Sequence, residues 1–146
     1  MTPAETVRLF YQEIVSQNQL HRLAEFVSPA CCLWAEGQLV PVGIEGMADH
    51  IAATKATYPD YCLRITRQFS CGDYVISQFV MEGTHQGEWL GIQPSGRRLS
   101  FSGINVDRVV EGKLVEHSGA VNTFETLWDA GLIGPLHRPD PQEPHP

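Results

Sequence analysis

The residues of this chain best equipped to move a proton fall in one stretch. Gly83-Thr-His-Gln-Gly-Glu-Trp-Leu-Gly-Ile-Gln-Pro-Ser-Gly-Arg-Arg98 carries His85 and Trp89, a strand-like run to Val110 carries Asp107, and Glu111-Gly-Lys-Leu-Val-Glu-His117 adds Glu116 and His117. An imidazole works as an acid or base near neutral pH, and a carboxyl does so once burial or a like charge raises its pKa. Which of these groups meet depends on strand register. Glu111-Gly112 suits a two-residue hairpin turn. Counting back from it, Val110 faces Lys113, Val109 faces Leu114, Asp107 faces Glu116 and Asn105 faces Ser118. Side chains alternate along a strand, so Asn105, Asp107, Val109, Leu114, Glu116 and Ser118 share one face and His117 falls on the other with Val106 and Val115. Buried, the Asp107/Glu116 pair is a proton shuttle in the making. Facing solvent, it pairs with Arg64 or Arg108, and His117 is the inward group.

His85 sits near a strand end just before Gly87 and Trp89, where loops deliver functional groups from a rigid scaffold, so it is a candidate pocket residue. Trp34 and Trp89 suit either packing or ligand stacking. At the end of the last strand the chain offers Asn122, which donates and accepts hydrogen bonds but takes up no proton at neutral pH. Other chemistry lacks a motif. Ser118-Gly119 has no nucleophile-elbow context, there is no phosphate loop or dinucleotide fingerprint, and His50 and His85 have no ligand-spaced partners. Cys31, Cys32, Cys62 and Cys71 lack the spacing of a zinc knuckle or redox pair and read as free thiols. No metal is expected.

The groups must be positioned by one small domain. At 146 residues, burial of roughly 68–70% of the surface of the extended chain suffices for a core without staples. A formal charge of −7, with 10 basic against 17 acidic residues, argues against a nucleic-acid surface, which needs clustered Lys and Arg. No apolar run approaches the ~18 residues of a membrane span, and the first residues start an amphipathic pattern instead of a signal peptide, so a cytoplasmic protein is expected.

Thr2-Pro-Ala-Glu5 reads as a helix start with a capping box, followed by Val7, Phe10, Tyr11, Ile14 and Val15 at helical spacing. A second helix is expected over 21–27, ended by Ser28-Pro29, then an extended segment over 31–34, a loop over 37–43, and a third helix over 44–57 with Met47, Ile51 and Thr54 on one side. Beyond Pro59-Asp60 the period drops to two. Residues 61–70, 74–87, 97–110 and 113–124 predict four strands in a meander, and 126–133 a short helical turn. The expected architecture is α+β: N-terminal helices packed on the concave side of a curved antiparallel sheet, in a single domain over 1–133. Residues 134–146, rich in proline, read as a disordered tail. A concavity of this kind is a small-molecule site by default.

The 83–98 run, with Phe101-Ser-Gly-Ile104, Gly112-Lys-Leu-Val-Glu-His117, Phe10-Tyr11 and Tyr58-Pro-Asp60, resembles the SnoaL-like polyketide cyclase (ester cyclase) family, within the group of folds similar to nuclear transport factor two. The similarity spans roughly residues 5–133. It implies an α+β cone, a homodimer through the outer sheet face, a hydrophobic pocket and no cofactor. It also implies an Asp base for intramolecular aldol condensation, four residues after a Glu-His-Trp motif. Asn122 holds that position here, Ser118 stands where the motif has Trp, and Trp34 stands about where many members have a first-strand His. Two outcomes follow for a small apolar carbonyl ligand. Either His85, Asp107 or Glu116 takes over proton transfer in cyclase or isomerase-like chemistry, with Asn122 orienting the substrate as a donor to an enolate oxygen and His117, Trp34 and Trp89 contacting the ligand, or the domain is a non-catalytic ligand-binding or dimerisation module. An epoxide hydrolase of similar fold would need an Asp-Arg-Asp relay, of which Asp107-Arg108 is a fragment.

Overall fold

The computed structural model describes residues 1–136. Most of the expected proline-rich tail lies outside the described residues. The chain opens with α1 (Pro3–Leu9), started by the capping box that the sequence announces: Thr2 Oγ1 accepts from the Glu5 backbone N–H, and the Glu5 carboxylate accepts from the Thr2 N–H. The helix then widens into a π-helical segment, Phe10–Val15, where the Ser16 N–H reaches the Tyr11 carbonyl. This wide turn lets Phe10, Tyr11, Ile14 and Val15 all face inward, and such insertions cluster at functional sites. The second expected helix is a short 3₁₀ segment, Leu20–Glu25.

Two strands stand where an extended segment and a loop were expected. β1 (Val27–Ala35) and β2 (Gln38–Pro41) form a hairpin, so residues 37–43 do not form a simple loop. Pro29, expected to end a helix, lies inside β1 at a register break where the strand needs no ladder N–H. Helix α2 (Gly43–Thr57) follows, and then the predicted meander: β3 (Cys62–Cys71), β4 (Tyr74–Thr84), β5 (Arg98–Val110) and β6 (Lys113–Val121), closed by α3 (Thr123–Asp129).

The sheet has six strands in the order β2-β1-β6-β5-β4-β3, and β1 runs parallel to β6. The four-stranded antiparallel expectation therefore covers only part of it. Helix α1 and the π-segment pack on β3–β5, and α2 packs on β1. The core gathers between these layers around Phe10, Ile14, Leu23, Met47, Val75, Phe101 and Leu114, all nearly solvent-free. No helix among the described residues is long and apolar enough to cross a membrane.

Candidate active site

The β5–β6 hairpin closes as expected, with Val110 opposite Lys113 and Val109 opposite Leu114, but the ladder then slips by one residue. Val115 is the extra residue of a β-bulge, and beyond it Arg108 faces Glu116, Asp107 faces His117 and Asn105 faces Gly119. The slip overturns the predicted Asp107/Glu116 pair. The slip lies where β6 is also paired with β1, at Leu114 and Glu116. Leu114 and His117, three residues apart, thereby both point inward.

The consequence is a buried polar floor. His117 Nδ1 lies 2.6 Å from Asp107 Oδ1, and Tyr11 Oη donates to Asp107 Oδ2 at 2.6 Å. Asn105 Nδ2 donates to Tyr11 Oη at 3.0 Å. Asp107 is fully buried, and Tyr11, Asn105 and His117 nearly so. Because the carboxylate accepts from both neighbours, Nδ1 carries the imidazole proton, and Nε2 is the nitrogen with no protein partner among the described residues. The Tyr11 phenol is raised well above its usual range, chiefly by burial and then by the charge of Asp107, so its proton stays in place. Gly119 completes the floor: a Cβ there would lie 1.9 Å from Asn105 Oδ1, so only glycine leaves room for that amide.

Above the floor are two adjacent chambers that share part of their lining. The inner one, about 100 Å³, is lined by Tyr11, Asn105 and His117 together with apolar residues such as Met47, Leu63 and Phe79. The outer one, about 280 Å³, is walled by Tyr58, Phe101, Trp89 and Thr123, and His50, Thr54, Met81 and Val121 border both. His50 stands edge-on to His117 with ring centroids 5.4 Å apart. Desolvation, and secondarily the neighbouring His117, hold the His50 pKa below the usual histidine value.

The other predicted residues are placed elsewhere. His85 is buried, but its Nδ1 is tied to Ser95, 3.0 Å from Oγ and 3.2 Å from the backbone N–H, with the ring against Tyr58. It lines neither chamber and clasps the turn that joins β4 to β5. Glu116 points to the outer face, 3.3 Å from Arg108, which is the solvent-side alternative for this residue. Trp34 is exposed on β1, whereas Trp89 borders the outer chamber.

Sequence reasoning missed three lining groups. Tyr11 had a signal, because a tyrosine on a buried stripe needs a partner for its hydroxyl. His50 also had one: it lies three residues after Met47, on the same face as Ile51 and Thr54. Tyr61, in the inner wall, had none.

A model of the SnoaL-like polyketide cyclases matches residues 5–129, most of the chain. The chain belongs to the SnoaL-like polyketide cyclase family. Solved structures agree. IdmH of Streptomyces antibioticus, a candidate polyketide cyclase, is 27% identical, with 90% of this chain and 99% of that one covered at a TM-score of 0.76. AclR of Streptomyces galilaeus, a candidate hydroxylase, is 26% identical, with 91% and 100% covered at a TM-score of 0.75. A candidate polyketide cyclase of Acidithiobacillus ferrooxidans shares the fold at 18% identity, with 88% and 94% covered and a TM-score of 0.76. Among curated proteins, none matches this chain.

In this SnoaL-like chain, the position at which the family resemblance puts an Asp does not meet the polar floor. Asn122 is exposed, and its amide donates to Glu125. It borders a recess of the outer sheet face with Thr66, Gln78 and Ser102. Beyond the bulge, strand alternation turns His117 inward and leaves Ser118 and Asn122 on the other side.

Proposed function

We propose that this chain is a cofactor-independent enzyme that closes a ring in a small carbonyl compound by proton transfer, with His117 as its base. One observation carries the reading: a buried carboxylate holds Nδ1 of His117 at 2.6 Å while the same ring lines a cavity. Asp107 fixes the tautomer and ring orientation and favours the imidazolium that forms when Nε2 takes a proton. Nε2 removes a proton from the carbon next to a carbonyl, and the C–H electrons pass into an enolate. The enolate carbon attacks a second carbonyl of the same molecule, forming a C–C bond, and the new alkoxide recovers the proton from Nε2–H. No atom leaves, so the net change is an isomerisation. Tyr11 and Asn105 position the acceptor side of the floor, since the Tyr11 proton is committed to Asp107.

The test is hydrogen–deuterium exchange, followed by NMR, on a panel of small ketones and β-ketoesters. We expect His117→Gln to slow enzyme-dependent exchange by about 10²–10⁴-fold, the usual worth of a positioned base. Wild-type protein that exchanges none of them, or His117→Gln that exchanges them equally well, ends this reading.

The reading extends to a homodimer through the outer sheet face. Its support is the exposed apolar set Phe69, Tyr74, Ile76, Ile104 and Val110 on β3–β5. Sedimentation as a monomer at micromolar concentration would count against it.

A further inference from the structure

The inner chamber holds a second polar group that the base mechanism leaves unused. Tyr61 is 4% exposed, and its hydroxyl has no hydrogen-bond partner among the described residues, yet it is not among the buried atoms sealed off without one. It lines the same small chamber as His117, Asn105 and Tyr11. The hydroxyl therefore opens onto the chamber instead of being sealed in the core, and its proton is available to an acceptor that enters there.

The position is tightly built. Asp60, one residue earlier, accepts from both the backbone N–H and the Oγ1 of Thr84 at 2.7 Å. Gly83, beside that clamp, has no side chain because a Cβ would come within 2.9 Å of Tyr58 and 3.1 Å of Tyr61. Lys55 donates to the Tyr61 carbonyl at 3.0 Å and sits 4.1 Å from the centre of its ring. Backbone, ring and strand approach are thus all fixed, and only the hydroxyl is left uncommitted. Tyr11, by contrast, has its proton committed to Asp107 and cannot donate to a ligand without breaking that bond.

We propose that Tyr61 is the hydrogen-bond donor that holds the oxygen of the enolate while His117 holds its proton. This rests on His117 being the base, and it assigns the electrophilic half of the site to the inner-chamber phenol whose proton is not committed to Asp107. Burial raises the Tyr61 pKa, so the hydroxyl stays protonated through neutral pH and remains a donor. A donor aimed at developing negative charge acts in the transition state more than in the ground state.

The experiment uses 4-nitrophenolate as a compact enolate mimic, its binding followed by the shift of its absorbance band. Tyr61→Phe is expected to lower affinity at least tenfold and enzyme-dependent ketone exchange by about 10²-fold, while melting at an unchanged or higher temperature because the lost hydroxyl had no protein partner. Equal phenolate affinity in wild type and Tyr61→Phe overturns the assignment, as does a wild type that does not bind the phenolate. His117→Gln separates the two ideas. Exchange lost there while Tyr61→Phe keeps full affinity and exchange sinks only the donor. Exchange retained there sinks the base, whereas a fall in phenolate affinity in Tyr61→Phe still upholds the donor.

Discussion

Two buried histidines of this fold are held through the same ring nitrogen, Nδ1, by partners of different kinds. His85 lies in the turn between β4 and β5, where its Nδ1 meets the hydroxyl and backbone N–H of Ser95. His117 lies on β6, where its Nδ1 meets the carboxylate of Asp107. The first has a neutral partner ten residues away on its own turn, and its ring is covered by Tyr58. The second has a charged partner on a neighbouring strand and a cavity beside it. Burial and a hydrogen bond are therefore insufficient marks of a reactive histidine. The charge of the partner and the access of the other nitrogen separate a clasp from a candidate base.

Four measurements would break or sharpen that contrast. The largest effect should come from Asp107→Ala, which strands the Tyr11 hydroxyl and the His117 Nδ1–H in the interior. At about 1–3 kcal/mol for each unsatisfied group, urea denaturation should register a loss on the order of 3–5 kcal/mol, together with loss of ketone exchange. A variant as stable as its parent would show that the carboxylate does not organise the floor. Gly119→Ala comes next: the added Cβ collides with the Asn105 amide and should cost about 1–3 kcal/mol as overpacking. Its exchange rate should fall too, because Asn105 steadies Tyr11. Retention of both would mean that the amide moves aside freely.

His85→Gln should act on the turn alone. We expect a loss of about 1 kcal/mol and faster proteolysis between residues 85 and 97, with ketone exchange within a few-fold of wild type. A deep loss of exchange would put His85 back among the candidate catalysts. The smallest effect concerns His50, whose folded pKa lies below its ordinary value. Between the unfolded pKa, about 6.5, and that lower folded value, the unfolded chain binds more protons than the folded one. Stability is thus complete above this window and declines as pH falls through it. His50→Gln should flatten part of that decline in melting temperature against pH, and an unaltered profile would show that the imidazole is as freely protonated in the fold as outside it.

Much of the frame was legible in the residues. The Thr2/Glu5 capping box, the 44–57 helix and the Glu111-Gly112 turn are local signals, and each stands where the sequence puts it. What local pattern could not supply was set by distant pairing. β2 is a short, exposed edge strand held only against β1, and the parallel β1–β6 contact joins residues far apart in the chain. The one-residue slip at Val115 belongs to the same class, because Val-Glu-His alternates as a regular strand would. That slip alone exchanged Glu116 for His117 opposite Asp107, so the candidate residues were readable while their partnership was not.

The slip at Val115 also works as an expansion joint. It lies between the hairpin tip and the Asp107–His117 contact, so Val109–Leu114 and Asp107–His117 need not obey one continuous alternation. A change of length or twist at the tip can be taken up there before it reaches the Asp107–His117 contact, so the outer end of this hairpin is mechanically decoupled from its inner end.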